Sequence, residues 1–92
     1  MSNDATMEEP LTVQLAEIRG ICASGEARAI REAANLTLGE VARDVGVAGM
    51  TILRWETCDA RPTGLRAVRY LHLLRRLARR SRQPLTAGPV RS

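Results

Sequence analysis

The stretch REAANLTLGEVARDVGVAGMTILRWE, residues 31–56, carries two short helical patterns separated by one glycine. Thr37-Leu38-Gly39-Glu40 has the composition of a capping box, in which Thr37 accepts from the third amide of a helix and Glu40 reaches back to the Thr37 amide. A helix from there to about Val45 has Val41, Ala42 and Val45 on its inner face. Gly46 permits a tight turn, and Val47 fits between that helix and the next, predicted over 49–57 with Ile52 and Trp55 inward. Upstream, Asn35 is one of the few non-glycine residues that tolerate the left-handed geometry ending a helix.

The pattern continues outward on both sides. Leu11, Leu15, Ile18 and Cys22 recur at helical spacing and form one apolar stripe, and Pro10 suits the start of that helix, predicted over 11–22. Ser24 is the expected N-cap of a second helix through Ala34, with Ala27, Ile30 and Ala34 inward. After a polar loop at 58–62, Thr63 is the expected cap of a long last helix over 64–81. On that helix Ala67, Tyr70, Leu71, Leu74, Leu77 and Ala78 share one side, and Arg69, His72, Arg76, Arg79 and Arg80 the other. The expected organisation is a disordered N-terminus over 1–9, one domain over 10–82, and a disordered Pro- and Gly-containing tail over 83–92.

Composition agrees with an all-α reading. Ninety-two residues make one domain with a modest core, since a chain this short buries only about 60–65% of its unfolded surface. Hydrophobic residues make up 45%, yet there is one Trp, one Tyr and no Phe, so aliphatic side chains and Ala must build that core. Strands favour the β-branched and aromatic residues that are scarce here. Cys22 and Cys58 stand 36 residues apart with no CxxC and no partnering His, so the expectation is reduced, structural thiols, with no metal, no redox motif and no cofactor. An acidic, polar N-terminus predicts no signal peptide, and no apolar run approaches the roughly 20 residues that span a bilayer. A cytoplasmic protein without membrane association or a small-molecule ligand is expected.

The net charge of +4 conceals a gradient. Residues 1–26 carry five acids against Arg19 alone, whereas residues 60–92 carry nine Arg and no acid. A basic segment favours a polyanion, because guanidinium forks match phosphate geometry and their binding releases condensed counterions. His72, the single histidine, lies on a polar helix face with no Ser, Cys or carboxylate spaced to work beside it, so no enzyme is expected and no catalytic residue is assigned.

Two short helices joined by a glycine turn have the form of a helix-turn-helix. In residues 31–56 the sequence resembles the lambda-repressor-like (Cro/C1-type, Xre-like) helix-turn-helix family, which includes Cro-type phage regulators. Ala33-Ala34, Leu36-Thr37, Glu40-Val41-Ala42, Gly46-Val47, Thr51-Ile52 and Arg54-Trp55-Glu56 carry the likeness, with Arg61-Pro62 and the Leu-rich helix extending it over roughly residues 25–78. The resemblance implies a compact five-helix domain with an added N-terminal helix and a long C-terminal helix. It also implies that Glu56 braces the fold by pairing with Arg28 or Arg31, and that the second helix of the motif lies in the major groove of DNA.

The positions that meet DNA in that family depart from its usual polar residues. Leu38 follows the cap Thr, Ala48 opens the recognition helix, and Gly49, Met50 and Leu53 occupy groove-facing sites. The resemblance therefore assigns base reading to Gly49, Met50, Thr51, Leu53 and Arg54. Arg54 is the donor for guanine O6 and N7, Met50 and Leu53 contact thymine methyl groups, and Gly49 permits close approach. Phosphate contacts fall to Thr37, Arg43, the amides at Ala48, and Arg61, with Arg69 and Arg76 as flanking clamps on a basic face that also reads as plain solvated surface. The function implied is a double-stranded DNA-binding transcription regulator, a small Cro-like repressor at the nucleoid, with a homodimer through the first or last helix. The alternative is a protein-interaction module, antitoxin-like or polymerase-binding, that uses Leu38, Met50 and Leu53 as an exposed apolar patch for a protein partner.

Overall fold

The computed structural model describes residues 9–82, which form five helices and no strand: α1 (Leu11–Ala23), α2 (Glu26–Ala33), α3 (Leu38–Val45), α4 (Gly49–Glu56) and α5 (Gly64–Arg82). The protein is all-α, as the composition predicts. The expected disorder at 83–92, and all but the last residue of the expected disordered N-terminus, lie outside the described residues. No described helix is long and apolar enough to cross a membrane.

Each helix end has a local cause. Pro10 precedes α1 in an extended conformation at φ −60° and ψ 147°. Thr37 caps α3 with the full capping box: its Oγ1 accepts from the Glu40 amide at 3.1 Å, and Glu40 Oε1 accepts from the Thr37 amide at 2.9 Å. Three helices then stop through a left-handed residue: Asn35 (φ 60°) after α2, Gly46 (φ 91°) after α3 and Cys58 (φ 65°) after α4. In each, the amide of the following residue reaches back five residues to a carbonyl: Leu36 to Arg31 at 3.1 Å, Val47 to Ala42 at 3.0 Å and Asp59 to Arg54 at 2.8 Å. These are Schellman closures, which satisfy carbonyls that the helix end would otherwise leave free.

Four details depart from the sequence reading. Gly25, at φ 86°, is the N-cap of α2, while Ser24 ends α1 and uses its Oγ to accept from the Glu26 amide at 3.2 Å. Ser24 thus serves both helices without being the cap, because a break of two residues needs the left-handed step that glycine supplies. Leu11 is 47% exposed, since the first turn of α1 overhangs its neighbours. Ala34 and Thr57 are the residues that end α2 and α4, each one position beyond the helix proper. The Thr63 side chain makes no hydrogen bond among the described residues, and Gly64 turns the chain into α5 at φ 76°.

The spine of the core is α5, which packs against α1, α2 and α3, while α3 and α4 pack on each other. Its Ala67, Tyr70, Leu71 and Leu74 are fully buried, as are Ile18 of α1, Ala27 of α2, Val45 of α3 and Ile52 of α4. Burying an aliphatic side chain of this size stabilises the fold by about 1.5–3 kcal/mol. Val47 is half-buried against the same cluster, so the turn between α3 and α4 is pinned from beneath.

Polar contacts tie the helices together at the rim. Arg75 of α5 pairs with Glu17 of α1 and with Glu9, the latter at 3.2 Å, which joins the acidic N-terminal segment to the basic C-terminal helix. Those carboxylates raise the Arg75 pKa above the ordinary arginine value, chiefly through the Glu17 hydrogen bond. Arg19 Nε donates to the Pro62 carbonyl at 2.8 Å and moors the loop after α4 to α1.

Candidate nucleic-acid interface

Helix α4 is held from behind. Ile52, Trp55 and Glu56 are buried, and the Trp55 ring lies against Tyr70 with centroids 5.3 Å apart and planes tilted by 33°. Glu56 receives Arg31 Nε at 2.6 Å and Nη2 at 3.0 Å, while Arg31 Nη1 donates to the Leu36 carbonyl at 3.0 Å. Of the two arginines the resemblance offered Glu56, the structure selects Arg31; Arg28 pairs instead with Glu32 on the surface of α2.

The outward face of α4 carries Met50, 57% exposed, and Arg54, exposed. Thr51 and Leu53 are half-buried beside them. Gly49 is placed differently from the reading that put it against a groove. A Cβ there would lie 3.8 Å from the Gly39 backbone, so its side-chain direction faces α3. The first turns of α3 and α4 meet there, which brings Leu38 and Gly39 beside Gly49 with room for a Cβ at ordinary van der Waals contact. Ala48 caps α4 in an extended conformation without a side-chain hydrogen bond. The Thr37 hydroxyl oxygen is occupied by the capping box, while its proton is free to donate.

The apolar patch of the alternative reading shrinks in the fold. Leu38 packs against the core cluster and Leu53 is half-buried, so Met50 alone of the three is strongly exposed.

The arginines whose side chains are described fall into two groups. Arg19, Arg28, Arg31, Arg69 and Arg75 each have a fixed acceptor. Arg43 on α3, Arg54 on α4, Arg61 in the following loop, and Arg66, Arg76, Arg79 and Arg80 on α5 are exposed and make no ion pair among the described residues. Arg61 lies close to the C-terminal end of α4, because the Ala60 amide donates to the Arg54 carbonyl at 3.2 Å. Arg69 is the exception among the proposed phosphate ligands: its Nη2 donates to the Asp44 carbonyl at 3.1 Å and so caps the C-terminal end of α3. Arg66 stands beside it, its Nε 3.5 Å from where a Cβ on Gly46 would lie. The sequence reading passed over Arg66, although its position one turn before Arg69 was a usable signal. Arg76 lies two turns further along α5, about 10 Å from Arg69 at the helical rise.

Among the described residues no group of three His, Cys, Asp or Glu side chains is placed to hold a metal ion. The class that emerges is an all-α, five-helix domain with a braced short helix that displays an exposed arginine and has other exposed arginines on the elements next to it in the chain. Comparison with protein-family models, with curated proteins and with solved structures finds no match.

Proposed function

We propose that α3 and α4 are a helix-turn-helix of the lambda-repressor-like kind, and that the chain is a double-stranded DNA-binding transcription regulator, a small Cro-like repressor acting at the nucleoid of the cytoplasm rather than an enzyme. The observation that carries this reading is the division of the arginines. Arg31, behind α4, is committed to Glu56, whereas Arg43, Arg54 and Arg61, on α3, α4 and the loop after it, are exposed and make no ion pair among the described residues. Unpaired guanidinium groups around an exposed helix suit phosphate and base-edge recognition.

With α4 in the major groove, Arg54 reads guanine and Met50 reads a thymine methyl, with Thr51 and Leu53 at the margin. Arg43, Arg61, the Thr37 hydroxyl and the amides after Ala48 hold phosphates. One such module buries roughly 600–1,000 Å² of surface on DNA, so specificity calls for two copies on half-sites about one turn apart. The homodimer contact falls to α1 or α5. The protein-partner reading has less support, since Leu38 and Leu53 are not free.

Selection from random duplexes, followed by titration of a winning duplex at several salt concentrations, tests the proposal. The expected result is a palindromic consensus whose log affinity falls linearly with log salt. No enrichment, or binding indifferent to salt, overturns it.

A further inference from the structure

The fold brings together two cysteines that sequence spacing keeps apart. Cys22, in the last turn of α1, is 2% exposed, whereas Cys58, in the turn that closes α4, is exposed. The Cys58 thiol donates toward the Cys22 carbonyl oxygen, with sulfur and oxygen 3.9 Å apart. Both residues line one open cleft of about 320 Å³, together with Trp55, Asp59 and Pro62. That cleft admits a small solute to the pair from solvent. Cys58 also sits at φ 65°, an uncommon conformation for a side chain other than glycine or asparagine.

We propose that Cys22 and Cys58 are a redox pair that a peroxide converts to an intramolecular disulfide, tying the end of α1 to the loop behind α4. Exposure makes Cys58 the residue that meets the oxidant. Its sulfur attacks one peroxide oxygen: the S–O bond forms, the O–O bond breaks, and the departing hydroxide leaves as water with the thiol proton. The Cys22 sulfur then attacks the resulting sulfenic acid: the S–S bond forms, the S–O bond breaks, and a second water leaves with the Cys22 proton. Two thiols and one hydrogen peroxide thus give one disulfide and two waters. Burial pushes the Cys22 thiol up to about 12, with Cys58 and Glu56 adding to the shift, so Cys22 is a slow nucleophile that reacts second, at the short range the fold gives it to Cys58. A disulfide needs Cβ atoms about 3.5–4.5 Å apart. The Cys58 sulfur already lies 3.9 Å from the Cys22 carbonyl oxygen, and the exposed turn at residues 57–59, ahead of the moored Pro62, supplies the remaining adjustment.

The test uses the full chain and hydrogen peroxide, with no DNA present. The protein is oxidised at neutral pH, then denatured and alkylated without reductant, and its intact mass is measured. The expected product is a monomer lighter by two hydrogens in which neither cysteine takes the alkylating reagent. A Cys22–Cys58 cross-linked peptide after proteolysis identifies the bond. In Cys58→Gly, which suits the left-handed backbone, Cys22 stays alkylatable after the same treatment. Oxidation that stops at Cys58 with Cys22 still free, or that yields only disulfide-linked dimers, overturns the proposal. So does a wild-type chain that keeps both thiols.

Discussion

Arg31 at the end of α2 and Glu56 at the end of α4 form a two-pronged ion pair, Nε to Oε2 at 2.6 Å and Nη2 to Oε1 at 3.0 Å, with side chains only 12% and 1% exposed. The pair ties the end of α4 to the last turn of α2, next in the chain to the buried Trp55. Glu56 holds the Arg31 pKa above its ordinary value through that hydrogen bond. Removing one partner strands the other in a dry site. Glu56→Ala and Arg31→Ala should therefore each cost about 3–5 kcal/mol, whereas the double replacement Arg31→Met with Glu56→Leu should cost clearly less than either. Urea unfolding of the three variants decides this; equal losses in the double and single variants would sink it.

The glycines divide by what surrounds them. Gly20 lies within α1 with nothing within 4 Å of where a Cβ would stand, and Gly49 opens α4 with room for an ordinary contact against Gly39. Alanine at either position should raise stability by about 0.5–1 kcal/mol, the usual helix penalty of glycine. Gly46 is left-handed at φ 91° and close to the Arg66 and Arg69 guanidinium groups. Gly46→Ala should lower stability by about 1–2 kcal/mol. Thermal melts of the three variants should shift in opposite directions, upward for the first two and downward for the third.

What could be read in the sequence was what local chemistry decides. Thr37 and Glu40 announce the start of α3, and Asn35 and Gly46 mark helix ends, because capping and left-handed geometry depend on residue type over four or five positions. The buried faces of α3, α4 and α5 followed from helical spacing for the same reason. The remaining features are set by approach between elements. Cys58 adopts a left-handed conformation that its residue type does not suggest, Gly49 faces Gly39, and Leu11 has no neighbour to bury it. The anchoring of Arg69 and Arg75 belongs here too, since Asp44 is 25 residues from one and Glu17 58 from the other. At the candidate interface the helical spacing put Met50 and Arg54 on the outward face of α4, but had no means of separating an arginine with an acceptor in the fold from one without.

Two buried acids make the fold sensitive to alkali. Cys22 is pushed from 9.0 up to about 12, first by burial, and Tyr70 is raised above its ordinary 10.0 for the same primary reason. In each case the folded chain keeps a proton that the unfolded chain releases. Their contribution is thus intact below pH 9.0 and is lost as pH rises from there towards about 12, by about 1.4 kcal/mol per unit for each group that has begun to titrate in the unfolded chain. The Tyr70 hydroxyl makes no hydrogen bond among the described residues, so Tyr70→Phe should leave neutral-pH stability unchanged or raise it by up to about 1 kcal/mol. It should also flatten the alkaline loss, as should Cys22→Ala. Urea midpoints measured from pH 7 to 11 under reducing conditions check the slopes; identical slopes in wild type and variants would refute the assignment.

The arginines allow the DNA reading to be dissected, because their anchoring predicts different failures. Arg54 is exposed on α4 with no ion pair among the described residues, so Arg54→Ala should leave the melting temperature in place and cost about 1–3 kcal/mol of discrimination at one base position. Arg76 also makes no ion pair among the described residues but sits well along α5, where the proposal gives it phosphate contact alone. Replacing it should weaken all duplexes alike and lower the salt slope by about one. Arg69 is bonded to the Asp44 carbonyl at the end of α3, so its replacement should act first on the fold, costing about 0.5–1.5 kcal/mol of stability. Measuring unfolding, base preference and salt dependence for all three variants separates these roles. A stable Arg69→Ala protein whose only defect is a shallower salt slope would return that residue to the phosphate-binding set. A stable Arg54→Ala protein with unchanged base preference would remove α4 as the reading element.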